Sequence, residues 1–378
     1  MAKLHDRIRS RAAGTRGVLL SISGYTKAVL EAAGHNKWPE ILLLDRAHFE
    51  AMLCGLTAPA DLLTAVLDYA SYHGGSYTGL TDLLIARQPA SPPAFTTVPP
   101  AVLPWPVVSD TTAGVIAQVP LVAADGWPEI SGLARGKNHT LLLTVPDGVV
   151  EADSNIGATA WVLPLPGCRG TPAVRSDGSV MAVCGYAVVS WNNGILNIVG
   201  GGFTGNTNLL RGPGDSTWAF DNSELLTLTC LGAHPGDEDL REIDFPAEVW
   251  NASWLGGRRF FLAASGHSAA VDLDVSSTVN RDAWIETPHP WPHGVLTVDR
   301  DTVITASRYG FGGAGVQGTV YRMHLASRTS DLIADLAVNS TGNLVATGDG
   351  RVFLLADVRG NNRAPHPILV QLTGLLDC

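Results

Sequence analysis

The chain is short of cysteine and has no long apolar run. Its five cysteines (Cys54, Cys168, Cys184, Cys230 and Cys378) are an odd set with no CxxC pair. That speaks against a disulfide framework and against structural zinc. No apolar stretch approaches the length of a membrane span, and the N-terminus is charged, without a signal-type segment. The expectation is a soluble cytoplasmic protein, in which the Asn-x-Ser/Thr sequons at Asn138, Asn251 and Asn339 carry no weight. Positive charge is also scarce. The net charge is −10, and residues 1–98, with nine Lys/Arg and eight Asp/Glu, escape that acidity. The remainder holds 16 basic against 27 acidic residues, a poor composition for general nucleic-acid binding. In the first sixteen residues Lys3, Arg7, Arg9, Arg11 and Arg16 face only Asp6. The plain reading is a solvated helix face; the sharper one is contact with DNA phosphates.

What is present is a strand-and-turn unit that recurs six times after residue 135. Polar turns at Arg135–Asn138, Arg175–Gly178, Arg211–Asp215, Leu255–Arg258, Asp299–Asp301 and Asn339–Gly342 each precede an apolar strand. The strands begin near His139, Ser179, Ser216, Arg259, Thr302 and Asn343, in steps of 40, 37, 43, 43 and 41 residues. A period in this range with several short strands per unit predicts an all-β propeller. Six blades are expected, with seven the alternative. In the second unit the four strands read 172–175, 179–184, 187–191 and 195–199; in the last, 335–338, 343–347, 351–356 and 367–372. Gly114–Val122 resembles a fourth strand that precedes the first complete unit, and it either closes the ring in the last blade or belongs to a degenerate seventh.

Residues 17–84 read differently. Apolar strands at 17–23 and 40–44 alternate with helical runs at 27–33, 48–54 and 58–72, where Leu62, Leu63, Val66, Leu67 and Ala70 keep helical spacing. This is an α/β pattern with parallel pairing, yet two strands make only half a sheet. Seven prolines between Pro89 and Pro106 then suggest an extended, semi-stiff linker. The expected organisation is an α/β fragment over 1–87, a linker over 88–110 and a propeller over 111–378.

Several motifs have weaker claims. Gly310-Phe311-Gly312-Gly313-Ala314-Gly315 satisfies GxGxxG, but strands flank it on both sides, so a hairpin loop is favoured over a dinucleotide site. His289 and His293 sit four apart in a Pro-rich loop that fixes no ligand geometry. The acidic run Asp237, Glu238, Asp239, Glu242 and Asp244 lacks EF-hand spacing. Gly266-His267-Ser268 near Asp272 is not on a nucleophile elbow. Six tryptophans (Trp161, Trp191, Trp218, Trp250, Trp254 and Trp284) fall on or beside strands and read as inter-blade packing. Connections alternate between the two faces of a propeller, which places Phe203, Asn206, His267, Trp291, His293, Arg308 and Tyr309 on one rim. They are the candidate ligand-binding residues, converging at the channel mouth. No catalytic or metal-binding set is assigned.

The segment Arg9-Ser10-Arg11-Ala12-Ala13-Gly14-Thr15-Arg16-Gly17, running into Leu19-Leu20-Ser21-Ile22-Ser23-Gly24-Tyr25-Thr26, resembles the second half of Mrr-type (PD-(D/E)xK) restriction endonuclease domains. The likeness continues through Ile41-Leu42-Leu43-Leu44-Asp45 and the helix beginning near His48, covering residues 1–85. In that family an acidic residue and an Asp/Glu-x-Lys pair, upstream of the matched segment, hold Mg²⁺. Lys3 lies in the helix that would follow them and is not the catalytic lysine. The resemblance implies either a reading frame that starts upstream of Met1 or a nuclease remnant used for docking.

The leading expectation is therefore a nuclease-derived fragment fused to a propeller that recognises a protein partner or small ligand, in restriction or anti-phage defence. No cofactor is expected in this chain, with Mg²⁺ required only if the nuclease half is completed. The alternative is a Mg²⁺-dependent DNA endonuclease whose catalytic half lies elsewhere. A propeller lyase or hydrolase is the third reading. The open strand edge of the fragment also suggests a dimer or completion by a second chain.

Overall fold

In the central strands of the second half, neighbouring residues point to opposite sides and both sides are buried. Leu141 and Leu143 face one apolar cluster while Leu142 faces another; Phe260 and Leu262 are divided from Phe261 and Ala263 in the same way. The two-residue period of a strand explains the division, and burial on both faces means sheets stacked on each side. The computed structural model describes residues 2–34, 40–85, 91–92, 95–97, 108–111, 121–123, 130–137, 139–153, 159–204, 207–222, 226–232, 239–276, 278–287, 291–308, 318–336, 339–358, 366–372 and 375–376.

Six antiparallel sheets form the ring, with strands a to d ordered outward from the axis. Blade 1 is Gly132–Arg135, Leu141–Val145, Gly148–Ala152 and Thr159–Leu163. Blade 2 is Cys168–Val174, Val180–Cys184, Ala187–Asn192 and Ile195–Gly201. Blade 3 is Asn208–Arg211, Thr217–Asp221, Thr227–Cys230 and Asp239–Glu242. Blade 4 is Val249–Gly256, Arg259–Ala264, His267–Asp272 and Trp284–Glu286. Blade 5 is Gly294–Thr297, Thr302–Ala306, Gly318–His324 and Thr329–Leu336. Blade 6 begins with Asn339–Ala346, Val352–Val358 and His366–Leu372. Each strand a touches the next, and that of blade 6 touches that of blade 1. An apolar cluster fills every gap between adjacent blades, so each sheet buries its faces only when the ring is closed. Near the axis the fit is tight enough to demand glycine: a Cβ on Gly132 of blade 1 would lie 1.9 Å from the Gly170 carbonyl oxygen of blade 2.

The blade count is six. The early strand closes the ring, as one of the two expectations had it: Leu121–Ala123 becomes strand d of blade 6, with Leu121 opposite Leu369. The stretch read as a linker contributes sheet as well. Phe95–Thr97 pairs outside Leu121–Ala123, and Val108–Thr111 adds a fifth strand to blade 5. The sixth repeat was placed one strand out of phase. Asn339–Gly342 reads as a polar turn but belongs to the bulged innermost strand, whose pairing shifts register between Ser340 and Leu344. Ser340 Oγ donates to Gly342 O at 3.3 Å within that bulge, a turn-like contact inside a strand.

Cysteine spacing also misled. Cys168 and Cys184, 16 residues apart, stand directly opposite one another on strands a and b of blade 2 and form a disulfide. Linear spacing does not disclose a cross-strand pair. Disulfides persist mainly in oxidising compartments, so the cytoplasmic expectation loses one of its supports. No helix among the described residues is long and apolar enough to cross a membrane.

The N-terminal unit consists of α1 (Ala2–Arg9), β1 (Gly17–Ser21), α2 (Lys27–Gly34), β2 (Ile41–Asp45), α3 (Arg46–Leu53), α4 (Pro59–His73) and α5 (Leu80–Ile85). β1 and β2 pair in parallel, as the alternation of strand and helix predicts. Asp45 caps α3, and Gly74 ends α4 in the left-handed conformation. Leu62, Val66 and Ala70 of α4 share one apolar cluster with Leu142 and Leu163 of blade 1 and Val180 and Ile198 of blade 2. The unit is thus docked on the outside of the ring, not merely tethered to it. Tyr186 N donates to Gly55 O at 3.2 Å, and a Cβ on Gly185 (φ +60) would come within 2.6 Å of that oxygen. The docking covers strand d of blade 2, an edge otherwise open to unwanted pairing.

Candidate functional site

The six innermost strands run in one direction along the axis, so their starts ring one mouth of the channel and their ends ring the other. At mid-depth a hydrogen-bonded chain crosses from blade to blade. Asn208 Oδ1 accepts from Thr171 N (2.9 Å), Thr171 Oγ1 accepts from Asn343 Nδ2 (3.0 Å), and Asn343 Oδ1 accepts from Asn251 Nδ2. Asn251 also donates to His293 O at 2.5 Å. Five blades are joined this way, and Thr171, Asn251 and Asn343 are all buried. A fully paired polar network of this kind fixes one arrangement of the blades, because breaking one bond strands another group away from water.

Between this floor and the strand ends lies a cavity of about 830 Å³, lined by residues from all six blades. Apolar side chains such as Leu133, Ala173, Leu209 and Val295 form its walls, with Thr171, Ser253, Thr297 and Asn343 adding hydroxyl and amide groups. Arg135 and Lys137 of blade 1, Arg175 of blade 2, Arg211 of blade 3 and Arg300 in the first turn of blade 5 line its mouth, against a single lining acid, Asp299. Thus five of the 16 basic residues after residue 98, and one of the 27 acidic ones, line the cavity. Asp215 lies just behind, 3.4 Å from Arg211, and is already engaged: its carboxylate accepts from Ser176 N at 2.8 Å and from Ser176 Oγ at 2.5 Å. Those bonds, with Arg211 and Arg175 nearby, hold its carboxyl below the usual range. Arg175 is steadied by Thr217 Oγ1, 3.4 Å from its Nε.

Of the seven rim residues expected from the sequence, Trp291, His293 and Arg308 belong to the opposite face. They come together there, around Trp250. The Trp250 ring lies 4.9 Å from His293 and 6.3 Å from Trp291, and its Nε1 donates to Ser265 Oγ at 2.9 Å. Trp291 has a left-handed backbone (φ 50), held on both sides: its N donates to Ser265 Oγ and its carbonyl accepts from Arg308 N at 3.1 Å. Burial, with the Arg308 charge adding to it, pushes the His293 imidazole down to about 4, so it is neutral at physiological pH. The other residues do not join them. Phe203 is buried in the core between blades 2 and 3, because a large ring in that loop has an apolar gap to fill. His267 is exposed and stacks on Trp284 at 5.0 Å, toward the outside of blade 4. Asn206, Tyr309, His289 and the glycine run 310–315 lie outside the described residues.

The remaining motifs resolve as structure where they fall on described residues, which Asp237 and Glu238 do not. Ser268 is fully buried and its Oγ accepts from Ala264 N, so it is no nucleophile. Asp239 pairs with Arg241 at 3.1 Å and Arg258 at 3.3 Å. Trp218 packs on Phe260 at 5.1 Å between blades 3 and 4. In the N-terminal unit, Lys3, Arg7, Arg9, Arg11 and Arg16 are all exposed, while Ile8 turns inward. A polar cluster escaped sequence reading. Asp45 Oδ1 lies 2.6 Å from His48 Nδ1, and Asp45 Oδ2 accepts from Tyr77 OH at 2.7 Å. Burial alone would raise the Asp45 carboxyl, but these bonds outweigh it and hold it well below the ordinary range. His48 is fully buried, which makes the cluster a cap and anchor for α3. Among the described residues no three carboxylate, imidazole or thiolate groups converge as a metal site would require.

No family model matches this sequence, and no curated protein does. Among solved structures it is similar to a gluconolactonase of Xanthomonas campestris, at 14% identity and a TM-score of 0.48, covering 76% of this chain and 98% of that one. It is also similar to the WD40 propeller domain of Doa1, at 12% identity and TM-score 0.47, covering 77% and 96%. YCF48 bound to D1 peptide matches at 14% identity and TM-score 0.44, covering 75% and 99%. At these levels the likeness carries no function, and the propeller assignment rests on the six sheets themselves.

Proposed function

We propose that this protein is a recognition module whose propeller holds a small ligand, or a projecting group of a protein partner, in the blind cavity between its blades. One observation carries the reading: the cavity of about 830 Å³ has a hydrogen-bonded floor, mixed apolar and polar walls and a charged mouth. A concave, mostly apolar site with a few placed polar groups is the ordinary make-up of a ligand pocket. The docked α/β unit is read as a nuclease-derived scaffold held in fixed relation to blades 1 and 2, with restriction or anti-phage defence as the setting its resemblance implies. No catalytic step is assigned to this chain.

The test is identification of small molecules that co-purify with the protein. Mass spectrometry of the denatured wild type is compared with Thr297→Trp, which fills the cavity, and with Arg308→Ala at the other face. The reading predicts a species retained by wild type and Arg308→Ala but lost from Thr297→Trp at unchanged fold. Identical sets from all three proteins would remove it.

A second reading, an endonuclease completed by further strands, is favoured by one observation. β1 has no partner on its outer edge among the described residues, and its Val18 and Leu20 are 47% and 40% exposed. Strand addition, from a second copy or another chain, is the natural occupant of such an edge. Phosphate contact by Lys3, Arg7, Arg9, Arg11 and Arg16 belongs to the same reading. Duplex DNA retained by wild type and released by Lys3→Gln/Arg7→Gln/Arg11→Gln would support it, and no retention at low salt would sink it.

A further inference from the structure

Resting on the recognition reading, the arrangement of charge at the open mouth narrows the ligand class. The cations do not lie in a line. They stand at the ends of innermost strands or in the turn that follows, on blades 1, 2, 3 and 5, and so encircle the opening. An extended acidic peptide crossing the face would meet only part of such a ring, whereas a compact anion entering along the axis meets all of it. Guanidinium groups offer forked donors matched to phosphate oxygens, and four of the five cations are arginines. The apolar walls raise the effect, because a cleft of one sign with low-dielectric sides concentrates its field. Below the ring, Ser253 and Thr297 share a hydrogen bond at 2.9 Å, and Asn343 completes the floor. Those groups suit a neutral, hydrogen-bonding body.

We propose that the cavity takes a small phosphorylated molecule, its phosphate groups held by Arg135, Lys137, Arg175, Arg211 and Arg300 and its uncharged body seated on the hydroxyl and amide groups beneath. Three acids offset this charge: Asp215 is spent on Ser176 and Arg211, Asp177 accepts from Ser179 N beside Arg175, and Asp299 leaves the lining positive overall. Ligands whose charge is carried by carboxylates fit less well, since their oxygens spread over a flatter, smaller shell than those of linked phosphates.

Isothermal titration on the full chain tests this with four probes: adenosine triphosphate, inorganic tripolyphosphate, citrate and adenosine. Tripolyphosphate and adenosine triphosphate are expected to bind, the nucleotide more tightly, with affinity falling steeply between low and physiological salt. Citrate should bind at least about tenfold more weakly, and adenosine weakest of all. Arg211→Gln and Arg300→Gln should each weaken the phosphates by about tenfold or more, with melting temperatures unchanged. Lys137→Gln, at an exposed position, gives a third variant that does not depend on the others folding. Failure of both phosphate probes, citrate binding as tightly as tripolyphosphate, or equal affinity in the variants would overturn the proposal. A neutral species that Thr297→Trp releases would leave the recognition reading intact while removing this ligand class. No released species and no phosphate binding would remove both.

Discussion

The two mouths of the channel are built for different work. Around the starts of the innermost strands, the Trp250, Trp291 and His293 rings pack together beside the polar floor, with Arg308 N bonded to Trp291 O, so the rings there are committed to the fold. Around the ends, five cations line an open cavity, and only Arg175 and Arg211 have a side-chain partner (Thr217 and Asp215) among the contacts described. The difference separates residues that cost stability when changed from residues that cost binding.

The sharpest contrast comes from Trp250→Ala. The ring fills the space between Trp291 and His293 and bonds Ser265, so its loss should cost about 3 kcal/mol in chemical denaturation. A cost below about 1 kcal/mol would mean that the aromatic face is not structural. Acid comes next in size. The His293 imidazole titrates near 4 in the folded protein against 6.5 for a free one, so the unfolded chain takes up a proton over that interval while the folded one does not. Stability is therefore complete above about pH 6.5 and lost progressively as pH falls toward 4, by up to about 3 kcal/mol. His293→Phe should flatten that slope, and an unchanged slope in the variant would assign it elsewhere. Asn343→Ala leaves Thr171 and Asn251 each one partner short, for about 2 kcal/mol by thermal denaturation. Arg300→Gln, at the open mouth, should change stability by no more than about 0.5 kcal/mol. A larger loss there would erase the contrast.

Docking of the N-terminal unit adds a test of its own. With Leu62 in one cluster with blades 1 and 2, Leu62→Ala should lower the transition of the whole chain by about 2–5 kcal/mol as a single step. Two separate transitions, with the propeller unaffected, would restore the picture of tethered halves.

The ring was legible because its physics is periodic. Each strand b alternates between two inter-blade cores, which leaves uniformly apolar runs such as Val180–Cys184 and Phe260–Ala264 at steady spacing. What the repeats concealed was phase and depth. Asn339–Gly342 has turn chemistry because it sits where the innermost strand bulges, and Cys168 meets Cys184 only through strand pairing. The aromatic loops drew attention, and three of their residues do gather, but at the face where the hydrogen-bonded floor lies close behind. The basic mouth did leave a signal. Arg135, Arg175 and Arg211 each open one of the polar turns that mark the repeats, and Arg300 lies within another. Those turns read as punctuation, although their cations line one cavity. In the N-terminal unit the parallel pairing of β1 and β2 was legible in the alternation of strand and helix.

The most direct measurement is a crystal structure of the full chain grown with tripolyphosphate. The account predicts the anion within the open mouth, bonded to Arg175 and Arg211 and facing Arg135 and Arg300. An anion bound instead beside Trp291 and Arg308, or along the basic face of α1, with the mouth empty, would contradict it.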